Sequence, residues 1–468
     1  MILVAGLLAF TSVWGQNTTS GWEDESGKIP VKAYFESGKL HFASKNENFH
    51  LWFDNRIYLD AAVYSPTSNV DDLTSKTNKD LEDDDNQFRF SNGVSIRRAR
   101  FGVKATLYKK WFAELDLDFA YNEVEIKDMY LGYKFNNHFF VKAGNFKVPM
   151  SMERTTSSKY LMASERPMAV EAFADGRRLG LAGTGWGKHW WASAGVFGRE
   201  VDIIQKERNR GNDGYALATR VAVSPIYNED MTIHVGGYFN YQTPSGSGLE
   251  DKTVLFRTFP ESRVDRRRFV QAEISNVNHY YTTGFELGFR YRKLLTYGEY
   301  IYNNISRYTY GANNQKTDLK NAVFNGWYAT ASYMVLGENR QYSPDEAEFG
   351  PMKMRRKGGN LEVAARISNI NMNDFHDPAA YITGGKATSY SASLNWYPVR
   401  NVVIGLNYIY MNNDKYADSK GQITKGGKPL SEVMPSGIDF NVFQLRTMIS
   451  FSQLYTLMYQ NILFVLKM

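Results

Sequence analysis

Apolar and polar residues alternate along several stretches of the chain. In the segment RRARFGVKATL, the odd positions from Ala99 to Leu107 are apolar, whereas Arg98, Arg100 and Lys104 occupy even positions. Successive side chains of a β-strand point to opposite faces. This period therefore predicts a strand with one apolar face and one cationic face.

The segments that follow repeat the same period with a different polar face. WFAELDLDFA carries Glu114, Asp116 and Asp118 on its polar side, and IKDMYLGYKF, FFVKAGNF and, far downstream, LEVAARI alternate similarly. If residues 109–111 form a three-residue hairpin loop, Lys104 lies opposite Asp116 and Arg100 lies diagonal to Asp118. Opposite charges are thus expected to meet across neighbouring strands.

Repeated alternation favours an all-β fold, namely a transmembrane antiparallel β-barrel. A soluble β-sandwich or propeller also alternates and is the alternative. The barrel is favoured by short turns that alternate with long polar loops and by aromatic residues at many predicted strand ends. These aromatic residues are Trp52, Tyr58, Trp111, Tyr133, Trp190, Trp191, Trp327, Trp396 and Tyr397. At roughly 27 residues per strand with its connection, residues 16–451 supply about 16 strands, enough to enclose water.

Composition narrows the class of protein further. The chain has 468 residues, of which 43% are hydrophobic and 15% aromatic, and this excludes a disordered protein. It contains no cysteine, which excludes disulfides, thiolate metal sites and cysteine nucleophiles. The formal net charge is only +6, so any charge selectivity has to come from the local placement of charges.

Both ends of the chain differ from the predicted barrel. Residues 1–15, MILVAGLLAFTSVWG, predict a signal peptide cleaved before Gln16, although no basic residue precedes the apolar run. A buried N-terminal strand or helix is the alternative. Residues 16–451 form the predicted barrel domain, which ends in an aromatic strand at Phe451. Residues 452–468 are an atypical C-terminal extension, or else a further strand.

The sequence contains no pattern that predicts catalysis. It lacks the G-x-S-x-G, H-E-x-x-H and G-x-x-x-x-G-K-[ST] patterns, and its seven histidines are dispersed singly. We therefore predict no catalytic residue, cofactor or metal site, and no enzyme. The acidic run LEDDDN at 81–86 lacks the ligand spacing of a dedicated calcium loop and predicts a solvated loop.

Four segments in order resemble the phosphate-selective porins (porins O and P) of Gram-negative outer membranes. They are RRARFGVKATLYKKWFAELDLDFA, IKDMYLGY, VKAGNFKVPMSMERTTSSKYLMASERP and DGRRLGLAGTG, and weaker similarity extends over most of the barrel. The resemblance implies a homotrimer of 16-stranded barrels in the outer membrane. It also implies that the third long loop folds inward and forms a constriction.

The resemblance implies which residues of this chain line the constriction. It implies Arg97 and Arg98 as cations of the pore wall and Asp128 as their counter-charge. From the loop it implies the positions Arg154, Ser157, Ser158 and Lys159. Arg154 stands where many relatives have lysine, and because guanidinium is wider than ammonium, anion preference is implied more firmly than phosphate selectivity.

Alternation and resemblance disagree about one of these arginines. Strict counting places Arg97 on the apolar side with Ala99 and Phe101. Arg97 would then extend to the membrane interface, unless it lies past a β-bulge. Arg98 and Arg100 are expected in the lumen by alternation alone.

The sequence as a whole predicts an outer-membrane channel that passes small anions, phosphate among them, between loop 145–175 and the Arg98 strand. Its expected partners are small anions, membrane lipid and lipopolysaccharide, with no nucleic acid. The alternatives are a weakly selective pore whose wall charges are ion-paired, a β-barrel enzyme, and a secreted β-rich adhesin. Two basic runs remain, VDRRRF with its arginines at 266–268 and MRRKGG with its basic residues at 355–357. They either attract anions at a pore mouth, bind lipopolysaccharide phosphates, or are solvated.

Overall fold

The computed structural model describes residues 29–36, 39–67, 90–201, 214–244, 252–311, 313–378, 380–420 and 437–451. The predicted signal peptide, the acidic run at 81–86 and the extension at 452–468 lie outside these residues. Two short α-helices occur among them, α1 (Met152–Thr155) and α2 (Met168–Phe173). No helix in the described part of the chain has the length and apolarity needed to cross a membrane.

Twenty-four strands account for nearly all the remaining regular structure. In chain order they are β1 (Val31–Glu36), β2 (Lys39–Ser44), β3 (Phe49–Phe53), β4 (Asn55–Pro66), β5 (Gly93–Leu107), β6 (Trp111–Asp118), β7 (Glu125–Asn136), β8 (Phe139–Lys147), β9 (Arg177–Trp186), β10 (Trp190–Phe197), β11 (Ala216–Tyr227), β12 (Met231–Gln242), β13 (Val254–Arg257), β14 (Gln271–Ile274), β15 (Val277–Tyr291), β16 (Leu294–Tyr310), β17 (Lys316–Asp318), β18 (Ala322–Leu336), β19 (Arg340–Ser343), β20 (Glu348–Met352), β21 (Asn360–Asp374), β22 (Ile382–Val399), β23 (Val402–Asn413) and β24 (Phe440–Phe451).

Antiparallel pairing of these strands closes a barrel of 16 strands, which confirms the predicted fold. The first wall strand is interrupted at Asp54 into β3 and β4, and both parts pair with β5. The last strand, β24, pairs with β4, from Phe440 opposite Pro66 to Phe451 opposite Asn55. Closure satisfies the backbone hydrogen bonds of every wall strand, as a bilayer requires.

The wall strands alternate between an exposed apolar face and a polar inner face, as predicted. On β11, Leu217, Val221 and Val223 are exposed on the outside, whereas Arg220 is fully buried inside. Trp111, Trp190, Trp327 and Trp396 are exposed, as expected of aromatic residues at a membrane interface. Tyr58, Trp191 and Tyr397 depart from this pattern, because their side chains are buried in the interior of the barrel.

Three connections fold back into the lumen. Residues 148–176, and the described residues 243–244 and 252–276, lie in connections that join wall strands at the end with the long loops, which in outer-membrane barrels is the extracellular end. Residues 337–359, including the β19–β20 hairpin, enter from the opposite end, where the other connections are short turns. The largest apolar cluster lies where these connections meet the inner wall, and it includes Met168, Phe256 and Phe324.

The predicted register of the first hairpin was wrong by one loop position. The turn consists of residues 108–110 rather than 109–111, because Leu107 pairs with Trp111. Lys104 therefore lies opposite Glu114, and Arg100 lies directly opposite Asp118. The predicted meeting of opposite charges is correct, but the residue directly opposite each position of β5 differs by two from the predicted one. Glu114 replaces Asp116 opposite Lys104, and Asp118 lies directly opposite Arg100 instead of diagonal to it.

The contact between β7 and β8 depends on a glycine. Gly144 has a φ of +133°, and a Cβ built on it would lie 2.3 Å from the carbonyl oxygen of Met129. We expect Gly144→Ala to destabilise the barrel by about 1–3 kcal/mol, measured as a lower temperature of unfolding in heat-modifiable electrophoresis. Gly183→Ala is the matched control, because its nearest neighbour would be an ordinary contact at 3.5 Å. Equal unfolding temperatures for the two variants would contradict this account.

Candidate pore constriction

A cavity of about 1550 Å³ occupies the lumen between the inward loop 148–176 and the wall formed by β4–β10. Its lining is dominated by charged side chains of both signs. All but one of the predicted site residues line it, namely Arg97, Arg98, Arg100, Asp128, Arg154, Ser157 and Ser158. Lys159 follows directly on the loop and contacts Asp54, which also lines the cavity.

The inward loop is held in the lumen partly by apolar packing. Met150, Met168, Val170 and Phe173 are almost completely buried, although they lie on a connection that follows a membrane-spanning strand. The ring of Phe173 stacks at 6.3 Å between centroids on Phe324 of the opposite wall. Apolar side chains at these positions favour a loop that lies inside the barrel over one exposed to water.

Glu165 connects the loop to the wall through ion pairs. Its carboxylate accepts two hydrogen bonds from Arg97, at 2.6 and 2.8 Å, and one from Arg446 at 2.9 Å. Arg263, from the other inward loop, lies 3.4 Å away. Burial alone would raise the pKa of Glu165, but these arginines outweigh burial and hold that pKa well below its usual range.

The two predicted loop cations are both ion-paired. Arg154 lies 3.2 Å from Glu171 and donates a hydrogen bond to the carbonyl oxygen of Asp175. Lys159 pairs with Asp54 at the interruption of the first wall strand. Burial and the nearby Arg56 guanidinium lower the pKa of Lys159 to about 8, with Asp54 offsetting only part of this effect.

The loop hydroxyls face a cationic part of the wall. The hydroxyl of Ser158 lies 3.2 Å from the hydroxyl of Tyr58 and accepts a hydrogen bond from Arg56 at 3.4 Å. Ser157 precedes it and lines the cavity. Hydroxyl groups that both donate and accept are therefore placed beside a guanidinium.

Arg97 faces the lumen because of a β-bulge in β5. Tyr58 pairs with Arg98 and Leu59 pairs with Ile96, so Arg97 is the extra residue of the bulge. Both Arg97 and Arg98 consequently point inward and are more than 90% buried. Strict alternation was wrong at this position, since the bulge shifts the period by one residue.

The two neighbouring arginines of β5 differ in how far they are neutralised. Arg100 forms an ion pair with Asp118 at 2.9 Å and another with Asp116 at 3.3 Å. Arg98 has one long ion pair among the described residues, with Asp118 at 4.0 Å. The Nε of Arg98, like the Nε of Arg56, is buried and has no hydrogen-bond partner in the described part of the chain. A buried guanidinium with unsatisfied donors favours the binding of an anion.

Three carboxylates form a cluster on β6 and β7, the strands next to β5 in the wall. Oxygen atoms of Glu114, Asp116 and Asp128 lie within 4.8 Å of one another, as in a metal site. Each carboxylate already faces a cation: Lys104 at 3.0 Å from Glu114, Arg100 at 3.3 Å from Asp116, and Arg177 at 2.9 Å from Asp128. This donor set fits counter-charges for the arginines and lysines better than ligands of a divalent ion.

Several site residues were missed by sequence reasoning. Arg177 begins β9 and donates a hydrogen bond to Asp128 at 2.9 Å. Arg56, Asp60 and Arg446 lie on the inner faces of β4 and β24, where Arg446 bonds to both Asp60 and Glu165. Alternation in NRIYLDAAVY and FNVFQLRTMISF could have placed these three in the lumen. Nothing local in the sequence distinguishes Glu165 from other loop acids.

The basic runs noted in the sequence occupy different ends of the barrel. Arg266 lines the cavity and lies 4.3 Å from the ring centroid of Tyr121. Arg355 lies in the connection at the short-turn end, has a 72% exposed side chain and pairs with Glu338. The first run therefore borders the cavity, whereas Arg355 of the second is a solvated turn charge.

Comparison with known proteins gives a family match and several distant likenesses. The model of the family described as phosphate-selective porin O and P matches residues 71–450. An uncharacterized protein of Caulobacter vibrioides is 24% identical over 324 residues, which span 68% of this chain and 62% of that protein. Porin O of Pseudomonas aeruginosa is 25% identical over 365 residues, which span 71% of this chain and 79% of Porin O.

Solved structures show a weaker likeness. The outer membrane channel DcaP of Acinetobacter baumannii is 13% identical, with a TM-score of 0.47, over 88% of this chain and 99% of that structure. An anion-selective porin from Comamonas acidovorans is 12% identical, with a TM-score of 0.45, over 86% of this chain and all of that structure. At these identities the likeness says nothing about what this chain transports.

The lowered pKa of Lys159 has a measurable consequence. Between pH 7 and pH 9 the Lys159 ammonium should lose its proton while Asp54 stays ionised, so the local charge becomes more negative. We expect the chloride-to-potassium permeability ratio, measured as a reversal potential in a planar bilayer, to fall over this range. Lys159→Arg keeps its charge and should show no such fall. A Lys159→Arg variant that titrates like the native protein would contradict the assignment.

Proposed function

Since the chain belongs to the phosphate-selective porin O and P family, we propose that its barrel passes small oxyanions, phosphate among them, across the outer membrane. Passage is passive and is restricted between the inward loop and the cationic face of β5. The chain spans about 62% of the length of the Caulobacter relative, so this proposal rests on the site in this chain. The family match and the unsatisfied donors of the site support it together.

One observation carries the proposal: Arg98 is a buried cation with incomplete neutralisation. Its Nε has no hydrogen-bond partner among the residues that the structure describes, and its ion pair with Asp118 is long at 4.0 Å. Arg100, two residues away, is held by two carboxylates at shorter range. Of the two, Arg98 is therefore the better prepared to bind a passing anion.

The surroundings of Arg98 suit a tetrahedral oxyanion. Guanidinium donates in a planar fork that matches phosphate oxygens. Ser157 and Ser158 from the loop, and the unsatisfied Nε of Arg56 from the wall, border the same cavity. Such donors replace water around an anion at the constriction, while Asp118 keeps the site from binding the anion too tightly to release it.

The same proposal includes the assembly and the absence of catalysis. We propose a homotrimer in contact with outer-membrane lipid and lipopolysaccharide, because the exposed apolar outer faces of the strands suit either lipid or a second barrel. Charged groups of the cavity form ion pairs between wall and loop, for example Arg97 with Glu165, and the family match supports transport. We therefore assign transport rather than an enzymatic reaction.

A weakly selective general pore is the second candidate function. It is favoured by the many ion pairs of the lumen, such as Lys104 with Glu114 and Arg177 with Asp128. Paired charges in a wide aqueous lumen largely cancel. The two candidate functions differ in whether Arg98 makes the pore prefer anions over cations.

Replacement of Arg98 tests the proposal. We expect the native protein to be anion-selective in a KCl gradient and its chloride current to be blocked by phosphate. Arg98→Gln should lower the anion preference and raise the half-blocking phosphate concentration at least about tenfold, since a charge-assisted hydrogen bond contributes about 1.5–3 kcal/mol. Arg98→Lys should retain the preference for anions but weaken phosphate block severalfold.

The control is Arg292→Gln, which removes a turn arginine that is 66% exposed and lies outside the cavity lining. This variant should leave the anion preference and the half-blocking phosphate concentration unchanged. A native pore without anion preference would favour the weakly selective alternative. A phosphate block that survives Arg98→Gln would remove Arg98 from the site.

A further inference from the structure

Four aromatic side chains line the cavity on the side of the short turns. They are Phe112 on β6, Tyr130 on β7, Phe140 on β8 and Trp186 on β9, and we call them the aromatic strip. Ring centroids of Phe112 lie 6.0 Å from Tyr130 and 5.3 Å from Phe140, and Phe140 lies 5.8 Å from Trp186. The strip is therefore continuous across four neighbouring strands.

Aromatic rings at these positions are unusual for a water-filled lumen. Inner positions of a transmembrane barrel are generally polar, and the apolar residues of this interior mostly pack beneath the inward loops. The four rings of the strip are only partly buried and line the cavity, although Tyr130 also packs against the largest apolar cluster and Trp186 against a second one. Apolar surface exposed in a concave site favours a ligand with an apolar face.

A glycine makes room for one ring of the strip. A Cβ built on Gly132, the partner of Phe112 across β6 and β7, would lie 2.2 Å from the ring of Phe112. The ring thus occupies the space in which a side chain at position 132 would stand. The absence of that side chain lets the ring lie along the wall.

Two lysines of the same wall lie over these rings. The Nζ of Lys134 is 5.7 Å from the ring centroid of Phe112. The Nζ of Lys142 is 5.0 Å from Tyr130 and 4.4 Å from Phe146. The nearby carboxylate of Glu114 is already occupied by Lys104 at 3.0 Å and by the Tyr130 hydroxyl at 2.7 Å. The ammonium groups of Lys134 and Lys142 therefore lie close to ring faces, while the Glu114 carboxylate bonds to other partners.

We propose that the aromatic strip, with Lys134 and Lys142, binds anions that carry an aromatic ring, such as aryl phosphates. The charged group would contact the lysines, and the aryl group would pack on the rings of Phe112 and Phe140. This inference deepens the proposed function and rests on it, since the strip borders the same cavity as Arg98. It extends the substrate class from inorganic oxyanions to aromatic organic anions.

Two phosphate esters of equal charge test this inference. Phenyl phosphate and methyl phosphate are compared as blockers of the chloride current through the native protein in a planar bilayer. We expect the half-blocking concentration of phenyl phosphate to be about tenfold lower, a difference of about 1.4 kcal/mol. Equal half-blocking concentrations would overturn the inference.

A double variant assigns the difference to the strip. Phe112→Leu with Phe140→Leu keeps apolar volume but removes the rings, so the ratio between the two esters should fall to about twofold or less while methyl phosphate block is unchanged. Trp186→Leu is the second variant, in case the double variant does not fold, and should lower the ratio in the same direction. Trp190→Leu is the matched control, because Trp190 is 52% exposed on the outer face.

The outcomes separate this inference from the proposed function. If neither ester blocks the current and the pore lacks anion preference, the proposed function itself fails. If both esters block equally in the native protein, only the aromatic inference fails. A tenfold ratio that persists in the double variant and in Trp186→Leu also overturns the assignment to the strip.

Discussion

The buried carboxylate of Glu165 holds the interior of this barrel in place. It receives hydrogen bonds from Arg97 on β5 and from Arg446 on the last strand. A buried carboxylate without partners costs several kcal/mol, so the loop that carries Glu165 is stable only where these guanidiniums meet. The loop can leave the lumen only by exposing that carboxylate to water and leaving the arginines unpaired. Together with the apolar packing of the loop and the pairs of Arg154 with Glu171 and of Lys159 with Asp54, this anchor places the loop hydroxyls in the lumen.

The arginines and lysines of the cavity differ in how far neighbouring carboxylates neutralise them. This difference in charge compensation decides which of these cations can act on a passing ion. Many arginines and lysines of the cavity face a carboxylate at about 3 Å, for example Arg100 and Arg177. Their fields largely cancel, and they serve as a rigid polar wall. Arg98 keeps unsatisfied donors, and Lys142 lies over rings. In the proposed function, selectivity would come from the cations that compensation leaves incomplete, which agrees with the small net charge of the chain.

The strands of this barrel could be predicted because alternation is a local property. The segments 97–107, 111–120, 126–135 and 139–146 all lie within or closely overlap observed strands, β5 to β8. The residues that pair across strands were harder to predict, because moving a turn by one residue along the chain changes the residue opposite each position by two. Lys104 consequently meets Glu114 instead of Asp116. The inward loop and its residues were indicated by resemblance, whereas no local pattern indicated their ion-pair partners.

The sequence by itself determined the barrel, its approximate number of strands and the side of most residues, because a period of two follows from the geometry of each strand alone. Tertiary structure alone decided the bulge that turns Arg97 inward, the meeting of Glu165 with Arg446 across 281 residues, and the alignment of Phe112 and Trp186 on one wall. These contacts depend on the registers of many strands and on closure of the whole sheet. No single segment contains that information, since each register is set by turns and bulges elsewhere in the chain.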